Sequence, residues 1–189
     1  PGGITGIAIG DVMGHDMAAA ASMGQLRSVF RSYAFEGADP ADVLDRADRL
    51  VQKFGMAQLA TAFCAQLTRV DQETWELRYA NAGHPPPIAR LPDGTTAFID
   101  GARSTLIGAA QEARRPHAFL TLPVGSTLFL YTDGLIERRD RTLDDGLSQL
   151  AELVRVTTGP PEALVDSITT EMADQDRTDD VALMAIVLH

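Results

Sequence analysis

Cysteine is nearly absent from this sequence: Cys64 is the only one in 189 residues, set in the apolar context Ala62-Phe63-Cys64-Ala65. No internal disulfide can form, and a lone thiol in such a setting belongs to a core, which suits a reducing compartment and predicts a cytoplasmic protein. Basic runs are missing as well. Against 26 Asp and Glu stand 16 Lys and Arg, a net charge of −10, which argues against nucleic acid or an anionic membrane as the main partner. No apolar run approaches the ~20 residues that a membrane helix needs, and no signal peptide can be read. Internal repeats and dividing linkers are also lacking. The sequence opens without Met on Pro1-Gly2-Gly3 and passes directly into a strand, which predicts an excerpt from a longer protein.

What is present suffices for one sizeable core, with 45% hydrophobic residues. The organising stretch is Gly10-Asp11-Val12-Met13-Gly14-His15-Asp16, after the apolar run Ile4 to Ile9. The run reads as a buried strand, and the glycines and Asp as a tight turn. A helix follows over 17–33, with Met23, Leu26, Phe30 and Tyr33 at helical spacing. Gly37 stops it. Asp39 as N-cap and Pro40 at the first helical position start a second helix, striped by Val43, Leu44, Ala47, Leu50, Val51 and Phe54.

The period then shortens to two. Strands are expected over 59–70, with Phe63, Ala65 and Leu67 alternating against polar neighbours, and over 74–82, with Trp75, Leu77 and Tyr79 on one face. A short hairpin over 88–91 and 95–99 turns at Pro92-Asp93-Gly94. Residues 117–122 and 126–132 read as strands, whereas Ser104 to Gly108 has no clear assignment. Two helices then carry Leu143, Leu147, Leu150 and Val154, and Leu164, Val165, Ile168 and Met172, before an apolar strand from Val181 to Leu188. Strands grouped between helix pairs predict an α+β layered fold.

Acids recur at strand ends. Thr127 to Thr132 runs into Asp133-Gly134, and Asp179-Asp180 runs into the final strand. If those strands pair antiparallel, their acids share one edge of the sheet, and Asp11 can join them if its strand neighbours either. Clustered carboxylates repel unless a cation neutralises them, and an all-oxygen donor set favours magnesium or manganese over zinc. An aspartyl nucleophile at Asp133 is disfavoured, because no Asp-x-Asp motif is present.

Four motifs, Gly10-Asp11-Val12-Met13-Gly14-His15, Asn81-Ala82-Gly83-His84-Pro85, Leu130-Tyr131-Thr132-Asp133-Gly134 and Asp179-Asp180-Val181-Ala182-Leu183, stand in an order and spacing that resembles the bacterial SpoIIE-type phosphatases, a branch of the metal-dependent protein phosphatase 2C superfamily. Thr61-Ala62-Phe63 and Leu106-Ile107-Gly108 look like family positions too. The resemblance covers essentially the whole chain, 1–189, as a single SpoIIE-type domain. It implies an α-β-β-α sandwich of two antiparallel sheets flanked by helix pairs, and a binuclear Mn2+ or Mg2+ site. Asp11, the Val12 carbonyl, Asp133 and Asp179 are the implied ligands, with Asp179 favoured over Asp180. The implied activity is hydrolysis of phosphoserine or phosphothreonine on a regulatory protein, of the anti-anti-sigma type, by a metal-activated water. His15 would protonate the leaving oxygen, or else serve only as a turn residue. His84, in a proline-stiffened loop, is read as structural.

Two departures qualify the match. Asp16 stands where the family pattern has a small residue, and serves either as an N-cap or as an added charge near the metals. The family's preceding Gly-Gly-Asp-x-x-Asp motif is not in the sequence as given, so an N-terminally incomplete excerpt with a weakened metal site is expected. The alternative function is a regulatory or binding module that keeps the fold with weak or no activity. Upstream sensor domains in the full-length protein are expected, with homodimerisation as one candidate mode of control.

Overall fold

The computed structural model describes residues 3–14, 16–55, 59–109, 114–138, 141–172 and 180–189. In chain order the elements are β1 (Ile4–Val12), α1 (Met17–Phe35), α2 (Pro40–Phe54), β2 (Ala60–Arg69), β3 (Thr74–Ala82), β4 (Ile88–Arg90), β5 (Thr96–Phe98), β6 (Arg103–Ser104), β7 (Ala118–Pro123), β8 (Thr127–Tyr131), a 3-10 turn (Asp133–Leu135), α3 (Leu143–Val156), α4 (Pro161–Glu171) and β9 (Leu183–Val187). Among the described residues seven strands thus separate the helix pairs where about six are expected. The extra one, β6, opens the stretch that periodicity leaves unassigned. Two residues are too few to show a period, and β6 is held by parallel pairing with Asn81 and Ala82 of β3. Among the described residues no helix is long and apolar enough to cross a membrane. The chain divides into two compact units, Pro1–Asp71 with Trp75–His84 and Gly101–Thr121, and Gln72–Thr74 with Pro85–Asp100 and Leu122–His189.

In the first unit the sheet order is β1-β2-β3-β6, with β7 also paired to β3. Strand β1 runs antiparallel to β2 from Ile4↔Thr68 to Val12↔Ala60. One sheet face carries Val12, Ala60, Ala62, Cys64, Ala80 and Ala82, which form a core with Leu26 of α1 and Val43, Leu44, Ala47 and Val51 of α2. These small side chains let the helices approach the sheet closely. Phe63, Ala65 and Leu67 are buried on the other face, so β2 is apolar on both sides and not half polar as alternation suggests. Cys64 sits in this core, and burial pushes its thiol up to about 12, leaving it an inert core group.

The caps are local and follow the sequence. Asp39 accepts from Ala41 N at 2.9 Å and starts α2, which ends at Gly55 with φ 60°. Asp16 accepts from Ala19 N at 2.8 Å and starts α1, which selects the N-cap role for it. The expected α2 stripe is altered at its end. Phe54 is 64% exposed, while Asp48 lies buried beside Leu44 and Val51.

In the second unit the sheet order is β5-β4-β8-β9, all antiparallel. Every residue of β8 is buried. Phe129 and Tyr131 pack with Leu150 and Val154 of α3 and Leu164 and Ile168 of α4. A reciprocal capping box between Thr142 and Asp145 opens α3. Arg90 of β4 donates to the carbonyls of Val154 and Thr157, satisfying the other end of that helix.

Candidate metal centre

Asp11 lies one residue from the end of β1, opposite Thr61 of β2. Gly10 permits that pairing, because a Cβ there would stand 2.5 Å from the Thr61 carbonyl oxygen. Met13 N donates to Leu59 O at 3.0 Å, so hydrogen-bonded pairs alternate back along the ladder through Asp11–Thr61. Val12–Ala60 is then a non-hydrogen-bonded pair, and the Val12 carbonyl turns away from β2 toward the outer side of β1. Ala60 confirms the alternation by turning its own amide and carbonyl the other way, to Ile107 at 3.0 and 2.9 Å. A half-buried carboxylate followed by an outward carbonyl is a hard-oxygen donor pair, suited to magnesium or manganese.

Asp133 starts the 3-10 turn after β8 and is also half-buried. Its Oδ1 accepts from Gly134 N at 3.0 Å, and its carbonyl accepts from Ile136 and Glu137 N, both at 2.8 Å. The turn is joined to the start of the last strand by Thr132, which is 3% exposed. Thr132 Oγ1 donates to Asp180 O at 3.2 Å and accepts from Ala182 N at 2.9 Å, while Thr132 N donates to Ala182 O at 3.1 Å. Strands β8 and β9 are antiparallel with Tyr131 opposite Leu183. Asp133 and Asp180 therefore lie at the same end of that sheet, as the strand-end argument requires.

Asp11 does not join them through sheet pairing, the condition set for it. Strand β1 neighbours neither β8 nor β9; it belongs to the other sheet and pairs with β2. Sheet pairing over such sequence separation leaves no local mark to read. Asp179 and His15 lie outside the described residues. Among the described residues no three His, Cys, Asp or Glu side chains come together as a metal-holding group.

His84 is 1% exposed. Its Nδ1 lies 2.9 Å from Thr61 Oγ1, its N–H donates to Asn81 Oδ1 at 2.8 Å, and its carbonyl accepts from Asn81 Nδ2 at 2.9 Å. The structural reading of His84 holds. Sequence reasoning gave Thr61 and Asn81 no role and passed over Arg115, a buried cation whose partner Asp48 interrupts the apolar face of α2. That lone acid on a buried stripe was the available signal.

A family model described as stage II sporulation protein E (SpoIIE) matches residues 1–189. Phosphoserine phosphatase RsbP of Bacillus subtilis (strain 168) is 31% identical over 134 residues, covering 70% of this chain and 33% of RsbP. The chain thus spans a minor part of that relative's length. The solved RsbU and RsbW domains of Rv1364c from Mycobacterium tuberculosis superimpose with a TM-score of 0.87 at 28% identity, covering 99% of this chain and 53% of that one. The PP2C phosphatase domain of SpoIIE from Bacillus subtilis gives 0.80 at 14% identity, covering 98% and 54%. RsbX, solved in complex with magnesium, gives 0.70 at 17% identity, covering 100% and 88%. The fold is phosphatase 2C-like.

Proposed function

The chain belongs to the SpoIIE family, and from that premise we propose that it is a metal-dependent phosphatase domain acting on phosphoserine or phosphothreonine in a regulatory protein. The observation that carries the reading is the β1 end, where Asp11 and the outward Val12 carbonyl form a hard-oxygen donor pair. Asp11 and the Val12 carbonyl, and separately Asp133 and Asp179, are the residues that would hold manganese or magnesium. When bound, the cations supply Lewis acidity, lowering the pKa of water and offsetting charge on the phosphoryl oxygens.

The chain's own residues set the donors in place. Gly10 lets β1 lie close enough to β2 to fix the direction of Asp11 and Val12. Thr132 ties the Asp133 turn to Asp180 and Ala182, next in sequence to Asp179. His15 either delivers the proton to the leaving serine or threonine oxygen or remains a turn residue. The substrate is a small phosphorylated partner-switching protein of the anti-anti-sigma type; the likeness to the phosphoserine phosphatase RsbP supports the phosphoserine part of this reading. The domain works in the cytoplasm as one part of a longer protein with sensor domains.

Hydrolysis of an aryl phosphate with added manganese tests the reading, with EDTA as control. Metal-dependent, EDTA-sensitive turnover is expected. A folded chain that gives none at saturating manganese would leave the binding-module function in its place.

A further inference from the structure

The family motifs without a chemical role come together behind Asp11. Thr61 is its cross-strand neighbour, so the two side chains share one face of the sheet. Thr61 Oγ1 is 2.9 Å from His84 Nδ1. His84 is gripped through its backbone by both ends of the Asn81 amide, around Gly83 at φ 67°, where a Cβ would stand 2.3 Å from Leu106 Cδ2. The Asn81 carbonyl accepts from Ser104 Oγ at 2.8 Å, and Ser104 Oγ accepts from Arg115 Nη1 at 2.7 Å. Arg115 Nη2 reaches Asp48 Oδ2 of α2 at 2.7 Å, and Asp48 Oδ1 accepts from Gly108 N at 2.8 Å. A largely buried polar chain therefore runs from α2 to the rung that carries Asp11.

We propose that Thr61 is a positioning residue for Asp11, locked by His84, and that the chain through Asn81, Ser104, Arg115 and Asp48 anchors that lock. Thr61 is the only link of the chain on the strand next to β1, and its hydroxyl sets its rotamer by bonding the imidazole. Asp11 stands directly opposite this threonine across the β1–β2 ladder, so a fixed Thr61 side chain limits the directions open to its carboxylate before a cation arrives. Groups that orient a ligand in this way are typically worth ~10- to 100-fold in metal affinity. The inference rests on the reading of Asp11 as a metal ligand.

The test measures manganese affinity by titration calorimetry together with amide exchange along β1, on wild type and on Thr61→Val, Thr61→Ser, His84→Leu and His84→Asn. Valine keeps the shape of threonine and its strand preference, and serine restores the hydroxyl; asparagine restores a polar atom near the Nδ1 position. Expected are affinities lowered about 10- to 100-fold in Thr61→Val and His84→Leu, recovery in Thr61→Ser and His84→Asn, and no further loss in the Thr61→Val/His84→Leu double variant. Exchange should quicken at Asp11 and Met13 and stay unchanged near Ile4. Wild-type affinity in folded Thr61→Val overturns the inference alone, as does a general loss of stability that Thr61→Ser fails to rescue. A wild type that takes up no manganese overturns the metal reading instead, and the exchange pattern then decides whether Thr61 sets the Asp11 rung.

Discussion

Replacing Arg115 by methionine should be among the most destabilising single changes in the first unit. The side chain is 0% exposed. It holds Asp48 Oδ2 at 2.7 Å, donates to Ser104 Oγ and to the Thr105 and Leu106 carbonyls, and places Nε 3.4 Å from Asp45 Oδ1 without hydrogen-bond geometry. Its loss leaves the Asp48 carboxylate, in a residue 5% exposed, supported among the described residues by Gly108 N and Gln52 Nε2. Breaking a buried pair from one side costs about 3–5 kcal/mol. At ~2–4 °C per kcal/mol for a chain of this size, the midpoint should fall by roughly 6–20 °C. Replacing both partners, Arg115→Met with Asp48→Leu, should recover most of the loss, because no charge is then stranded. Urea unfolding followed by the single Trp75, with circular dichroism, measures both variants. A loss below about 1 kcal/mol in Arg115→Met, the value of an exposed pair, would refute the claim that this pair behaves as a buried one.

Other outcomes follow from the same geometry. Gly10→Ala should loosen the end of β1 and lower manganese affinity, since its Cβ meets a backbone oxygen at 2.5 Å that cannot step aside; calorimetry and melting curves check this. Asp180→Asn should retain most metal-dependent turnover, because its side chain is exposed and its carbonyl is the group Thr132 uses, whereas Asp179→Asn should lose it. The Thr142 hydroxyl and amide hold the Asp145 carboxyl below its ordinary value. That contribution is full above the unfolded carboxylate's pKa and is lost as pH falls through the lower folded value. Acid melts of Thr142→Ala should therefore begin from a lower stability and show a shallower decline over that window.

Local chemistry was legible in the sequence. Asp39-Pro40 opens a helix and Pro92-Asp93-Gly94 turns a hairpin, because caps and turns act within a few residues. Partnership at a distance was not legible. The contact of Asp48 with Arg115 spans 67 positions, and neither residue type reveals it alone. The β1 neighbour was equally hidden, since β1 and β2 are separated by both helices of the first pair. Burial of β2 on both faces was masked by Thr61 and Gln66, which are only half-buried yet polar. His84 read as structural from its prolines, but its bond to Thr61, the neighbour of Asp11, needed the fold.

Phosphate release from a phosphoserine-bearing regulatory protein at saturating manganese, compared between wild type, Asp11→Asn and Asp133→Asn, measures the proposed activity most directly. A lost charged ligand costs a few kcal/mol, and ~1.4 kcal/mol is a factor of ten. The prediction is EDTA-sensitive release by wild type and a drop of about 100-fold or more in each variant, with melting temperatures in EDTA close to wild type because each carboxylate is only half-buried. Wild-type release by a folded Asp11→Asn or Asp133→Asn would contradict it.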